Sequence, residues 1–148
     1  MPVTTPEWLE HQIVVGSPDA VVYAERDGVI RLWNAAAEAI FGFTAAEALG
    51  QSLDIIIPER LRDRHWKGWD KVMESGVSRY GARETLSVPG MRKDGSTVSV
   101  DFSIQLLKDE AGKVVGSAAI LRDVTPRFER EKALGAKLKE LQQKLAGK

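Results

Sequence analysis

The chain has 148 residues, enough to bury one core of its own, with 21 Lys and Arg balanced by 21 Asp and Glu and no Cys. Zero net charge removes any general electrostatic case for nucleic acid or an anionic membrane. The missing thiols exclude disulfides, Fe–S clusters, thiolate metal sites and cysteine nucleophiles. No apolar run approaches the roughly 18 residues that span a bilayer, and Met1-Pro2-Val3-Thr4-Thr5 has no basic region before an apolar stretch, so a soluble cytoplasmic protein without a signal peptide is expected.

Thr5 is an N-cap and Pro6 a first helical position, opening a helix that ends near Gly16. Residues 21–24 and 29–33 are rich in β-branched and aromatic side chains, and Asp27-Gly28 between them marks a tight hairpin turn. Asn34 caps a helix over residues 35–41 that stops at Gly42. Thr44-Ala45-Ala46-Glu47 is a capping box for a second short helix that stops at Gly50. Residues 53–57 lead to Pro58, the first position of a longer helix ending at Gly76. A strand is expected near residues 82–88. A second covers residues 97–106, where Val98, Val100, Phe102, Ile104 and Leu106 alternate with mostly polar residues. Residues 109–113 turn the chain into a last strand over 114–121. From Pro126 the composition shifts to Lys, Glu, Leu and Gln, and Leu134, Leu138, Leu141 and Leu145 are spaced by 4, 3 and 4 as a heptad seam. The order is that of an α+β domain with an antiparallel sheet, followed by an amphipathic helix.

On the helix after Pro58, the residues Leu61, Gly68, Trp69 and Val72 share a face with His65. That arc is otherwise apolar, and Gly68 leaves space beside the imidazole. A histidine so placed either ligates a metal such as a haem iron or is a buried histidine with one hydrogen bond. Trp69 either lines the space or fills it, and a filled space leaves no room for a large ligand. His11, the only other histidine, lies in the N-terminal helix, where the reading is an exposed side chain and the alternative a sixth ligand or dimer contact. Met73 and Met91 are either packing or soft axial ligands. Trp33 reads as core, and Tyr23 faces either the pocket or another subunit.

Several strings occur in a telling order: Gly28-Val29-Ile30 leading to Trp33-Asn34-Ala35-Ala36-Ala37-Glu38, then Phe41-Gly42-Phe43-Thr44 with Glu47-Ala48-Leu49-Gly50, then Arg92-Lys93-Asp94-Gly95-Ser96, then Leu121-Arg122-Asp123-Val124-Thr125. In this order and spacing, over residues 8–125, the chain resembles a PAS domain. The resemblance implies a PAS fold, a five-stranded antiparallel sheet with flanking helices. Residues 1–17 then form an N-terminal flanking helix, 18–125 the PAS domain, and 126–148 a signalling or dimerisation helix. It implies a sensory or interaction module and not an enzyme. Photochemistry of the LOV and yellow-protein types needs a cysteine, which this chain lacks, whereas noncovalent flavin needs none.

The segment Pro58-Glu59-Arg60-Leu61-Arg62-Asp63-Arg64-His65 resembles the Pro-Glu-x-x-Arg-x-Arg-His segment of the haem-binding PAS domains of FixL-type oxygen sensors. That resemblance makes His65 the ligand of a b-type haem iron. It carries the arginine that contacts the gas onto Arg83, within Gly81-Ala82-Arg83, and the apolar distal wall onto Phe102, Ile104 and Ala119 or Leu121. Pro89-Gly90 reads as an insertion between Arg83 and Asp94-Gly95. Without the resemblance, Arg83 reads equally as a surface partner of Glu84 or Asp101. The implied function is detection of a diatomic gas, foremost O2, with CO and NO as the others. Output would run through the helix after Thr125 to a downstream module, in a homodimer formed through the N- and C-terminal helices, with no nucleic acid or membrane contact. The alternative is a haem-free PAS domain that dimerises, docks a partner, or senses flavin or a metabolite.

Overall fold

The computed structural model of the protein describes residues 4–78 and 85–147. Helix α1 spans Pro6–Gly16, capped by the Thr5 hydroxyl, which accepts from the Trp8 N–H. Strands β1 (Ala20–Glu25) and β2 (Ile30–Trp33) form the expected hairpin, and helices α2 (Ala35–Phe41) and α3 (Ala45–Ala48) follow. A 3-10 turn at Leu53–Ile56 then leads into α4 (Glu59–Ser75). Strands β3 (Leu86–Met91), β4 (Thr97–Lys108) and β5 (Val114–Asp123) complete the sheet, and α5 runs over Thr125–Ala146. The five strands are antiparallel and lie in the order β2-β1-β5-β4-β3, as the α+β expectation has it. Among the described residues no helix is long and apolar enough to cross a membrane.

One sequence reading changes in detail. Pro58 is the N-cap of α4 and not its first helical residue. The segment before it is a 3-10 turn, with Ser52 accepting from the Asp54 N–H. Pro89-Gly90 lies within β3, Pro89 opposite Ser99 and Gly90 opposite Val98. A proline is tolerated there because β3 is an edge strand and need not offer every N–H to a neighbour. Gly90 is closely packed, since a Cβ there would stand 3.3 Å from both Phe41 and Val98.

Strand alternation puts Ala20, Val22, Val98, Val100 and Leu121 on one face of the sheet. Trp33, Ala37, Phe41 and Ala48 close over them. Trp33 is core as expected, its indole donating to the Phe43 carbonyl at 3.0 Å and its ring lying against Phe41. Tyr23, between the buried Val22 and Ala24, points to the opposite face and lies over Gly116, so it does not line the core side.

The capping box at Thr44 also sets a charge. The Glu47 carboxylate is held down at about 2, chiefly by the Lys93 ammonium and then by the Thr44 N–H. A carboxyl group depressed in the folded state stabilises fully above its ordinary range and loses that contribution as pH falls through its folded value. Thermal unfolding from pH 4.5 down to about 2 should therefore show a falling midpoint, with a smaller fall in Glu47→Gln.

Candidate functional site

Helix α4 crosses one end of the sheet. Its Trp66 ring lies over Gly28 in the β1–β2 turn, and its C-terminal Gly76 sits beside Val114 at the start of β5. The helix is fastened at its first turn by Arg62, whose guanidinium donates to the carbonyls of Ile57 at 3.0 Å and Asp54 at 3.2 Å. A cation on the last carbonyls of the 3-10 turn is favourably placed. One arginine of the Pro58–His65 segment is thereby structural, while Arg60 and Arg64 are exposed.

His65 is half-buried on α4. Its ring packs edge-on to Trp66 with centroids 4.5 Å apart, and tilted on Trp69 at 5.9 Å. Nδ1 is buried with no hydrogen-bond partner. Burial lowers the imidazole below the ordinary histidine range, and the Asp54 carboxylate offsets part of that, so the ring is neutral at pH 7. A neutral imidazole with an unengaged nitrogen is a ligand-competent group. Among the described residues no three His, Cys, Asp or Glu side chains gather into a metal site.

The other sequence-derived positions fall as follows. Leu61 and Val72 are half-buried on α4. Gly68 is exposed, with nothing within 4 Å of where its Cβ would stand. Trp69 is half-buried and donates its indole N–H to the Arg26 carbonyl at 3.0 Å, so it reaches the β1–β2 turn. Phe102 pairs with Leu121 and Ile104 with Ala119 across β4 and β5, which makes these four one contiguous patch on the core face. Leu121 is buried, whereas Phe102, Ile104 and Ala119 are only half-buried. Arg83 and its alternative partner Glu84 lie outside the described residues. Asp101 is engaged by Arg127 at 2.8 Å and by Ser87. His11 is exposed on α1, Met73 is buried, and Met91 is half-buried at the end of β3.

Sequence reasoning missed Trp66. The inward arc of α4 runs from Leu61 and Val72 through His65 and Trp69 to Met73 and Trp66, with Gly68 beyond its edge in solvent. The signal was present, because Trp66, Trp69 and Met73 are spaced i, i+3, i+7. Asp54 was missed too. It accepts from the Trp66 indole at 2.7 Å, a tertiary pairing with no local signature.

The root of α5 is defined by the Asp123-Val124-Thr125 motif. The Asp123 carboxylate accepts from the Thr125 N–H, and the Thr125 hydroxyl accepts from the Ser99 N–H on β4. The buried Val124 donates its N–H to the Ser99 carbonyl at 2.8 Å. The first turn of α5 is thus riveted to β4, and the Arg127–Asp101 pair adds a second tie.

Comparison with known proteins agrees with this architecture. Residues 15–129 match the family profile described as the PAS fold. The sensor protein FixL of Bradyrhizobium diazoefficiens is 33% identical over 138 residues, a match covering 86% of this chain and 24% of FixL. The oxygen sensor protein DosP of Escherichia coli is 33% identical over 107 residues, 72% of this chain and 13% of DosP. The chain thus spans a quarter or less of these relatives. The crystal structure of a PAS domain from Colwellia psychrerythraea superposes with a TM-score of 0.71 at 20% identity, covering 82% of this chain and 99% of that one. With its sheet order, its α4 placement and its Asp-Val-Thr exit all accounted for, the chain belongs to the PAS family.

Proposed function

We propose that this chain is a haem-binding PAS sensor that detects a diatomic gas, O2 foremost, and passes the signal through α5. The observation that carries the reading is His65: a neutral imidazole on α4, at the end of the Pro58–His65 segment, with a buried nitrogen that nothing engages. The residues fit a haem in two further respects. Phe102, Ile104 and Ala119 form an apolar patch that the core leaves half-covered, and Trp69 is drawn to the β1–β2 turn by its hydrogen bond to Arg26. The similarity to a sensor protein and to an oxygen sensor protein supports the same reading.

His65 would hold the haem iron, and Leu61, Val72, Trp69 and the Phe102 patch would bury the porphyrin. When bound, the haem supplies an iron that takes up O2, CO or NO. Arg83 keeps the role of hydrogen-bond donor to the gas by its place in the sequence. The chain's own part is to bind, exclude water and transmit, so this is a sensor and not an enzyme. Helices α1 and α5 contain no buried residue and expose Trp8, Leu9, Ile13, Phe128, Leu134, Leu138, Leu141 and Leu145. Exposed apolar side chains in such number favour a homodimer formed through both helices, with a downstream module as recipient.

Expression with a haem precursor, followed by gel filtration and visible spectra with and without dithionite and CO, tests the proposal. A Soret band should co-elute with the protein, shift on reduction and CO, and disappear in His65→Ala. No co-eluting band in the wild type rejects haem and leaves the flavin, metabolite or ligand-free module. A band unchanged in His65→Ala rejects His65 as ligand.

A further inference from the structure

We infer that Trp66 and Trp69 are positioning residues for His65, holding the imidazole by packing where a hydrogen bond would ordinarily hold it. The inference rests on the reading of His65 as a haem ligand. At most histidine–metal centres a hydrogen bond to the second ring nitrogen fixes the ring. Among the described residues no hydrogen bond reaches the His65 side chain, and Nδ1 is buried and unpartnered. What touches the ring is a pair of indoles. Trp66 meets it edge-on at 82°, and Trp69 lies against it at 34°. The indoles also brace one another, with centroids 5.5 Å apart and planes at 76°. Edge-to-face aromatic contacts of this kind are directional and add to simple burial.

Each indole is in turn tied at its own N–H, and to a different segment. Trp66 donates to the Asp54 carboxylate at 2.7 Å, at the 3-10 turn. Trp69 donates to the Arg26 carbonyl at 3.0 Å, in the β1–β2 turn, and Arg26 is itself bonded to the carbonyls of Val114 and Val115. Gly28 lets the Trp66 ring lie flush on the turn. The consequence is a ring that is oriented while both its nitrogens stay uncommitted. Beside its direct charge effect on the imidazole, Asp54 acts on the orientation of the ring through Trp66, one step further out.

The test reads the ring itself. In the isotope-labelled, haem-free full chain, the His65 side-chain couplings should report one rotamer, and its ring protons should be displaced from their random-coil positions by the ring currents of the two indoles. In Trp66→Phe, Trp69→Phe and Asp54→Ala the couplings should average between rotamers while unfolding stays cooperative. Asp54→Ala should add nothing in a Trp66→Phe background, because the two act in series. In the haem-loaded chain the iron–histidine stretching band of the ferrous form should broaden or shift in the same variants. A single unchanged rotamer in Trp69→Phe and Asp54→Ala overturns the inference, as does an unchanged stretching band. Should Trp66→Phe fail to fold, those two variants decide alone. Failure of the wild type to take up haem defeats the ligand reading, and the haem-free couplings still judge the positioning role.

Discussion

Asn34→Ala should destabilise the fold by about 3–4 kcal/mol in chemical denaturation, the sum of a lost helix cap and of backbone groups left buried without partners. Asn34 is buried, and every polar atom of its side chain is bonded to a different backbone segment. Its oxygen accepts from the Ala37 N–H, capping α2, and from the Val21 N–H on β1. Its amide nitrogen donates to the Val14 carbonyl at 2.8 Å, at the end of α1, and to the Asp19 carbonyl at 3.1 Å. Asparagine alone suits this place, because it presents an acceptor and two donors on one short side chain. Asn34→Asp separates the contributions. It keeps the cap but turns a carboxylate toward two carbonyl oxygens, so it should be destabilising at pH 7 and partly recover on acidification. Equal stability of Asn34→Ala and wild type would show that the four contacts add nothing net.

Gly28→Ala is expected to cost about 2–6 kcal/mol and to disturb His65 as well. Gly28 has φ of +81°, which any other residue adopts only with strain of about 1–3 kcal/mol. The new methyl group would also run into the Trp66 ring, an overpacking that typically costs about 1–3 kcal/mol. Gly50 provides the control, since its φ is +86° but nothing lies within 4 Å of its Cβ position. Gly50→Ala should therefore cost less, about 1–3 kcal/mol, the strain part alone. The difference between the two variants measures the Trp66 contact. A red-shifted tryptophan emission in Gly28→Ala, absent from Gly50→Ala, would report the displaced ring. Equal losses would show that the ring yields without cost.

The elements bounded by local chemistry were legible in the sequence. Thr5, Asn34 and Thr44 each use their own side chain to satisfy N–H groups a few residues on, so the starts of α1, α2 and α3 could be read directly. The alternation from Val98 to Leu106 gave β4 because one face of that strand is core. What depended on distant partners was not legible. Pro89-Gly90 breaks a central strand but not an edge strand, and edge position is a property of the whole sheet. For the site, helical phase located His65 and Trp69 correctly on the inward half of α4. The precise rotation of that helix is set by Trp66 fitting over Gly28, 38 positions earlier, and by Asp54. No periodicity within α4 encodes those contacts, which is why Gly68 was expected inside and stands in solvent.

The rivet at Ser99 gives α5 the mechanics of a pointer. The helix has 22 residues, so it extends roughly 33 Å from its root. A tilt of about 5° in the first turn would sweep its far end through about 3 Å, the scale of a full side-chain step across a neighbouring helix. Because Ser99 lies on the same strand as Phe102 and Ile104, a shift of β4 too small to disturb the core is magnified at Leu141 and Leu145, with no change in the fold between them.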